Sequence, residues 1–309
     1  MPRRSASAPA KVERTVRQPS APPKPKTGAR PLLVVDGDNF AHRSYHALPK
    51  SIRGANDRPA GAIVGFANFL LRIYAAEQPR AVLVGWDTLD ASTYRHDAYP
   101  DYQSGREFAD ELVEQLDALP EVVAAFGFAN AKGAGYEADD FLAAGVAAEE
   151  KRGGTVLVAS GDRDTFQLVS AKTTVLFPQR GGEMVRMDPA AVRERYGVEP
   201  REVPDFIALR GDPSDKLPGA RGVGPAGAAN LIRQFGSVEA LLKAGRFPEQ
   251  ADDLRLFKKI ATMNAKAPLP RLPDQTPTWD RAATLMRKWE LNRLADRLSE
   301  LTQGKGATR

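Results

Sequence analysis

Three short, almost wholly apolar runs, Leu32–Val35, Ala81–Val84 and Thr155–Ala159, each give way to acid: Asp36, then Asp87, then Asp162 with Asp164. Four or five apolar residues bounded by turn formers read as strands buried on both faces. Helical patterns lie between them. Gly61–Glu77 places Ile63, Phe66, Phe69, Leu70 and Ile73 at helical spacing, another helix runs to about Phe126, and a third starts near Ala138. The order β-α-β-α-α-β with all-apolar strands requires a mostly parallel central sheet flanked by helices, an α/β fold. Ligands of parallel sheets bind at the carboxyl ends of the strands. The acids all fall there.

After about residue 190 the pattern changes to short helices broken by Gly and Pro, over 225–235, 237–244, 252–264 and 281–300. The expected organisation is a tail over 1–30, an α/β body over 31–190, a helical subdomain over 191–301 and a flexible end over 302–309. Within the body, about 91–115 is polar, rich in Arg and Tyr, and weakly periodic.

Charge sharpens the picture once it is located. The chain has 44 Lys and Arg against 39 Asp and Glu, a net +5. Residues 1–30 hold eight basic residues and one acid, so the tail carries +7 and the remaining 279 residues carry −2. With six prolines and no aromatic ring, the tail lacks the composition of a folded element; as a basic arm it is expected to raise non-specific affinity for DNA. There is no cysteine, which excludes thiolate metal sites and suits a reducing compartment, the cytoplasm. No apolar run approaches the roughly 18 residues of a membrane span, and no membrane association is expected.

The acids carry the chemistry. Besides the strand ends, Glu137, Asp139 and Asp140 open a helix after Gly135-Tyr136, and Asp212 and Asp215 lie in Gly211-Asp212-Pro213-Ser214-Asp215. Glu137 and Asp140 are one turn apart and share a face, whereas Asp139 is rotated by about 200°. A pair of ions, or one ion with bridging waters, suits them better than a single ion. A lone Asp at a turn or helix start is stabilising on its own account. Nine such acids crowd together, and crowded carboxylates repel unless cations neutralise them. Oxygen ligands without His or Cys point to Mg²⁺ or Mn²⁺, and two such ions are the usual apparatus of phosphodiester hydrolysis.

Gly222-Val223-Gly224-Pro225-Ala226-Gly227 matches G-x-G-x-x-G, but no strand precedes it. Pro225 at a first helical position makes it a loop feeding a helix, which presents backbone N–H groups to a phosphate. The stretch Tyr94 to Arg106 interleaves rings with bases, a pattern suited to a single strand.

Together these motifs resemble the 5′–3′ exonuclease domain of bacterial DNA polymerase I and its flap endonuclease relatives, in a stand-alone form, from about Leu32 to about Leu301. The motifs are Val35-Asp36-Gly37, Trp86-Asp87, Tyr99 to Arg106, Gly135 to Asp140, Ser160 to Asp164, and Gly211 to Asp215 with the glycine hairpin. The resemblance implies a PIN-like nuclease fold with a helix-three-turn-helix (helix-hairpin-helix) subdomain. It implies a catalytic first metal cluster of Asp36, Asp87, Glu137, Asp139 and Asp140. A second cluster would comprise Asp162, Asp164, Asp212 and Asp215, with Asp139 serving both. Gly222 and Gly224 would grip duplex DNA, often with K⁺, and Arg106 would belong to an arch that threads the 5′ strand.

Two positions depart from the family pattern: Gln103 stands where Lys is usual, and Lys216 where Asn is usual. A lost cation at position 103 would either slow cleavage or pass its task to Arg95 or Arg106, and a cation at position 216 would either trim the charge at the second metal site or point away from it. Arg95, Gln103, Arg106 and Lys216 are accordingly expected at the DNA. The implied activity is removal of 5′ flaps and nucleotides, RNA-primed ends included, from nicked or branched DNA in replication and repair, by a monomer. Two rivals are a non-catalytic DNA-structure binder that kept the fold, and an RNA-cleaving relative.

Overall fold

The computed structural model describes residues 30–88, 91–105, 107–179 and 181–303. The expected arm up to residue 29, the expected DNA contact Arg106 and the end from residue 304 lie outside the described residues.

A six-stranded sheet forms the centre, made of β1 (Leu32–Asp36), β2 (Ala81–Gly85), β3 (Ala129–Ala131), β4 (Val156–Ala159), β5 (Thr173–Pro178) and β6 (Met184–Met187). The strand order is β3-β2-β1-β4-β5-β6; every pairing is parallel except β5 with β6. The three strands legible in the sequence are the three central ones, buried along their whole lengths. The other three lie toward the edges, where half-exposed positions interrupt the apolar run.

Alternate residues of the central strands enter different cores. Leu33, Val35, Val82, Val84 and Leu157 pack with α1 (Gly37–Ala47), α2 (Gly61–Glu77) and α4 (Asp110–Ala125), beyond the short α3 (Tyr94–Ala98). Leu32, Val34, Leu83, Val156 and Val158 pack with α5 (Ala138–Lys151). This second core continues past α6 (Pro189–Tyr196) into a helical lobe of α7 (Val203–Arg210), α8 (Pro225–Phe235), α9 (Val238–Lys243) and α10 (Ala251–Ala261), through Phe206, Ile232, Leu241, Leu254 and Ile260.

Two expectations for the C-terminal third are corrected. The helical pattern over 281–300 is two helices, α11 (Trp279–Lys288) and α12 (Asn292–Thr302), separated where Glu290 adopts a left-handed φ of 57°. Nor do they belong with the lobe. Ala282, Met286, Leu294 and Leu298 pack in the opposite core with α2 and α4. The segment 267–278, without regular secondary structure, makes the crossing, held where Gln275 N–H donates to Arg80 O (2.7 Å) and Gln275 Oε1 accepts from Val82 N–H (2.8 Å). Buried Arg80 anchors it by pairing with Glu149 and reaching Leu272 O at 2.9 Å.

β1 has β2 on one side and β4 on the other, so the connections leave it in opposite directions, which opens a crevice at its carboxyl end. The start of α5 is drawn tightly into that crevice. A Cβ at Gly85, the last residue of β2, would lie 2.8 Å from the Ala138 carbonyl oxygen and 3.0 Å from Leu142 Cδ1. Gly85→Ala should therefore push α5 off the sheet and cost about 1–3 kcal/mol. Urea unfolding checks this; an unchanged midpoint would show that the close approach is not needed.

Candidate active site

The crevice gathers the strand-end acids. Asp36 ends β1 and caps α1: its Oδ1 accepts from Asn39 N–H at 3.0 Å, and its Oδ2 accepts from the buried Ser160 hydroxyl at 2.7 Å. The same Ser160 oxygen accepts from Asp162 N–H (3.0 Å), and Asp162 Oδ1 in turn accepts from Asp164 N–H (2.9 Å). Asp87 Oδ1 accepts from Ala138 N–H at 2.7 Å, in the first turn of α5. One residue further on, Asp139 is half-buried and feels Asp162, Asp36 and Asp87.

Electrostatics link these side chains into one chain of repulsion. Burial pushes the Asp36 carboxyl up to about 7, with Asp87 and Asp162 adding to the rise. Asp139 and Asp164 are driven well above the usual carboxylate range, first by burial. Asp162 is the next contributor for both, and Asp215 and Asp212 follow for Asp164. Asp162 thus stands between an Asp36–Asp87–Asp139 group and an Asp164–Asp212–Asp215 group.

Asp38 was not singled out from the sequence and belongs here. It is 8% exposed, its Oδ2 accepts from Asp87 N–H at 2.8 Å, and burial and Asp87 raise it strongly. The signal was present in Asp36-Gly37-Asp38-Asn39, where a helix beginning at Gly37 puts Asp38 in its first turn beside the strand end.

The three acids of α5 separate. Asp140 is wholly buried and turned from the rim: Arg95 grips it with both Nη atoms (2.9 and 3.1 Å), and Tyr94 hydroxyl and Asn264 N–H also donate to it. Glu137 accepts from Thr93 and Tyr102 hydroxyls at 2.8 and 2.9 Å and pairs with Arg95 at 3.2 Å. The side chain of Glu137 still borders, with Asp87, a cavity of about 440 Å³.

Two site expectations are corrected here. Asp140 does not join the rim acids, because its oxygens are filled by protein donors. Arg95, expected at the DNA, is only 3% exposed and spends its guanidinium on Asp140, Glu137 and the Ile260 carbonyl at 3.0 Å. Burial alone would lower its pKa; the two carboxylates reverse that and raise it.

The remaining expected residues lie around the rim. Gln103 Nε2 donates to Asp215 Oδ1 at 2.9 Å, and the exposed Lys216 donates to Ser104 Oγ at 2.8 Å. Asp212 pairs with Arg210 at 2.9 Å beside a cavity of about 700 Å³ that also borders Asp162. Gly222 and Gly224 line a third cleft of about 560 Å³ with Gln250, Asp253 and Phe257. The turn beneath that cleft closes because Gly219 lies against Gly211: a Cβ on Gly219 would be 2.4 Å from Gly211 N. Gly224 caps α8 without a side chain, leaving first-turn N–H groups without an intrahelical acceptor.

Among the described residues, no three His, Cys, Asp or Glu side chains form a ready metal-ligand group. The donor set nevertheless fits a hard divalent cation. It is all carboxylate oxygen, and burial together with neighbouring acids raises Asp36, Asp139 and Asp164, a penalty that a bound cation would relieve.

Two tests follow from this charge pattern. In the unfolded chain an Asp titrates near 3.9, and in the fold Asp36 titrates at about 7, so between these values the native state holds the extra proton and loses stability as pH rises. In EDTA the Tm should fall from pH 5 to pH 8, Mg²⁺ should offset the loss at pH 8, and Asp36→Asn should weaken the dependence. A Tm that rises over that range in EDTA would contradict the burial of these charges. Separately, Arg95→Met strands two enclosed carboxylates and should cost about 3–5 kcal/mol. Denaturant titration at pH 8 measures it, and a loss below about 1 kcal/mol would mean that the pairs are solvated.

Comparison with known proteins gives three kinds of match. The model of the 5′–3′ exonuclease N-terminal, resolvase-like domain matches residues 31–197, and that of the 5′–3′ exonuclease C-terminal SAM fold matches residues 198–283. DNA polymerase I of Mycobacterium tuberculosis is 40% identical over 214 residues, covering 68% of this chain and 24% of the relative. The thermostable DNA polymerase I of Thermus thermophilus is 36% identical over 249 residues, 77% of this chain and 29% of the relative. The chain therefore spans less than a third of the length of these relatives. A flap endonuclease of bacteriophage T5, solved as a pseudo-enzyme–product complex with DNA and metal ions, superposes with a TM-score of 0.61. That match has 19% identity and covers 89% of this chain and all of that one, so the two share the fold.

Proposed function

The chain belongs to the 5′–3′ exonuclease family, and on that premise we propose that it hydrolyses phosphodiester bonds at 5′ flaps and 5′ ends of nicked or branched DNA, with Mg²⁺ or Mn²⁺ bound at the acidic rim. The observation that carries the reading is the convergence of Asp36, Asp87, Asp139, Asp162 and Asp164 at one sheet crevice, where burial holds the carboxyls of Asp36, Asp139 and Asp164 above their normal pKa. Asp36, Asp87 and Asp139 would hold one ion and Asp164, Asp212 and Asp215 a second, with Asp162 between them. Bound there, the ions supply Lewis acidity toward the scissile phosphate and a water acidic enough to attack it.

The side chains have supporting tasks. The N–H groups of Asn39 and Ala138 fix Asp36 and Asp87, so the ligand oxygens stay aimed without the help of an ion. Burial raises the pKa of Tyr102 strongly, so its phenol stays protonated and holds Glu137 at the cavity wall. Arg95 and Asp140 act as positioning residues: they fasten α3 to α5 and to the end of α10. The Gly222–Gly224 turn and the N-terminus of α8 would receive duplex phosphates through backbone N–H groups, with K⁺ as an accompanying ion.

A labelled 5′-flap duplex incubated with Mn²⁺ tests the proposal. Cleavage should stop in EDTA and fall at least about a thousandfold in Asp139→Ala, the loss of several kcal/mol of charge stabilisation. An intact flap with the wild-type chain and Mn²⁺ would defeat the enzyme reading in favour of a structure-specific binder. A matched RNA flap cut faster than the DNA flap would make the chain a ribonuclease.

A further inference from the structure

Two non-glycine residues with left-handed backbones face each other at the rim: Gln103 (φ 50°) in the turn after α3, and Lys216 (φ 56°) in the loop that carries Asp212 and Asp215. This conformation is unfavourable for side-chain-bearing residues. Here it brings two segments 112 residues apart in sequence into contact. Gln103 Nε2 donates to Asp215 Oδ1, Lys216 Nζ donates to Ser104 Oγ, and the Tyr99 hydroxyl reaches the Lys216 carbonyl at 3.4 Å. The contact lies between two cavities. Gln103 and Gly105 line the one that borders Asp87 and Glu137, while Pro213 and Ser214 line the one that borders Asp162 and Asp212.

Lys216 differs from the neighbouring cations in what it holds. Arg95 is buried in its two ion pairs, and Arg210 is half-buried against Asp212. Lys216 is exposed, and its hydrogen bond goes to a neutral hydroxyl. An ammonium on a hydroxyl at the edge of an acidic rim can exchange that partner for a phosphate oxygen at small cost, because one weak bond is replaced by a charge-assisted one. A strand laid across the acids must bring its own negative charge past Asp212 and Asp215, and this cation stands at their side.

We propose that Lys216 is a substrate-positioning residue: its ammonium leaves Ser104 to bind a phosphate of the strand passing from the Asp212–Asp215 loop to the turn after α3. The proposal rests on the nuclease reading for its substrate, but binding tests it independently of cleavage. Binding of a labelled 5′-flap duplex to the full chain is measured by anisotropy in EDTA between 50 and 200 mM salt. Lys216→Met should reduce the slope of log K against log salt by about 0.7, and affinity roughly fivefold at 0.1 M, the loss of one single-strand phosphate contact. Lys216→Arg should keep the slope, and Ser104→Ala, which releases the ammonium, should bind at least as tightly as wild type. Gln103→Lys placed in the Lys216→Met chain should restore the slope, since it returns a cation across the same contact. If cleavage occurs, Lys216→Met should raise KM with little change in kcat.

A wild-type slope in Lys216→Met would overturn the proposal, as would an equal loss in Lys216→Arg. Absence of flap binding by the wild-type chain in EDTA would overturn the proposal, and absence of binding with Mn²⁺ present as well would overturn the nuclease reading with it. A chain that shows the slope change but never cleaves with Mn²⁺ would uphold the cation's role and remove only the enzymatic reading.

Discussion

Repulsion among carboxylates at the end of a parallel sheet is the constraint on which the rest of this molecule depends. Asp36, Asp87 and Asp162 are brought together because β1 lies between β2 and β4, and the chain cannot form this sheet without bringing those strand ends together. The fold tolerates the crowding by supplying fixed donors. Helix α1 gives Asn39 N–H to Asp36, helix α5 gives Ala138 N–H to Asp87, and Ser160 joins Asp36 to the Asp162 backbone. Amides at helix starts point the positive ends of their dipoles at the acids. They only partly offset the cost of burial, so the Asp36 carboxyl still rises to about 7, with Asp87 and Asp162 adding to it.

That incomplete neutralisation separates two kinds of acid that look alike in sequence. Glu137 and Asp140 receive a full positive charge from Arg95, together with hydroxyl and backbone donors. Asp139, between them on the chain, feels Arg95 only as one charge among several and is driven up by burial, Asp162 and Asp36. The helical rotation read from Glu137-Ala138-Asp139-Asp140 anticipated that separation. Its consequence, that Asp140 fastens the helix to its neighbours, depended on Arg95, whose role was legible only in three dimensions.

The same distinction explains what else could be read in advance. β1, β2 and β4 are apolar throughout because both faces are covered, and they stand out in the sequence. β5 and β6 escaped because their half-exposed positions blur the pattern, and β3 because Ala-Asn-Ala carries almost no signal. The pairing of α11 and α12 with α2 and α4 escaped for another reason. Amphipathic helices advertise an apolar face but not its partner, and the crossing is made by an irregular segment fixed through Arg80 and Gln275.

Net charge illustrates how far local arrangement outweighs a total. The excess of positive charge belongs to the first thirty residues, and the remainder of the chain is slightly negative. Its concentrated negative charge lies where, on the proposed function, a phosphodiester would sit. A polyanion approaching that rim meets unfavourable potential unless cations precede or accompany it, so divalent ions at the acids and exposed side chains beside them become parts of one requirement. Lys216 at the Asp212–Asp215 loop meets the second half of it, and the raised acid pKa values express the first. On the proposed function the two halves act separately: the carboxylates would repel a strand without ions and anchor it once ions are bound, whereas an exposed cation such as Lys216 would attract it in either state.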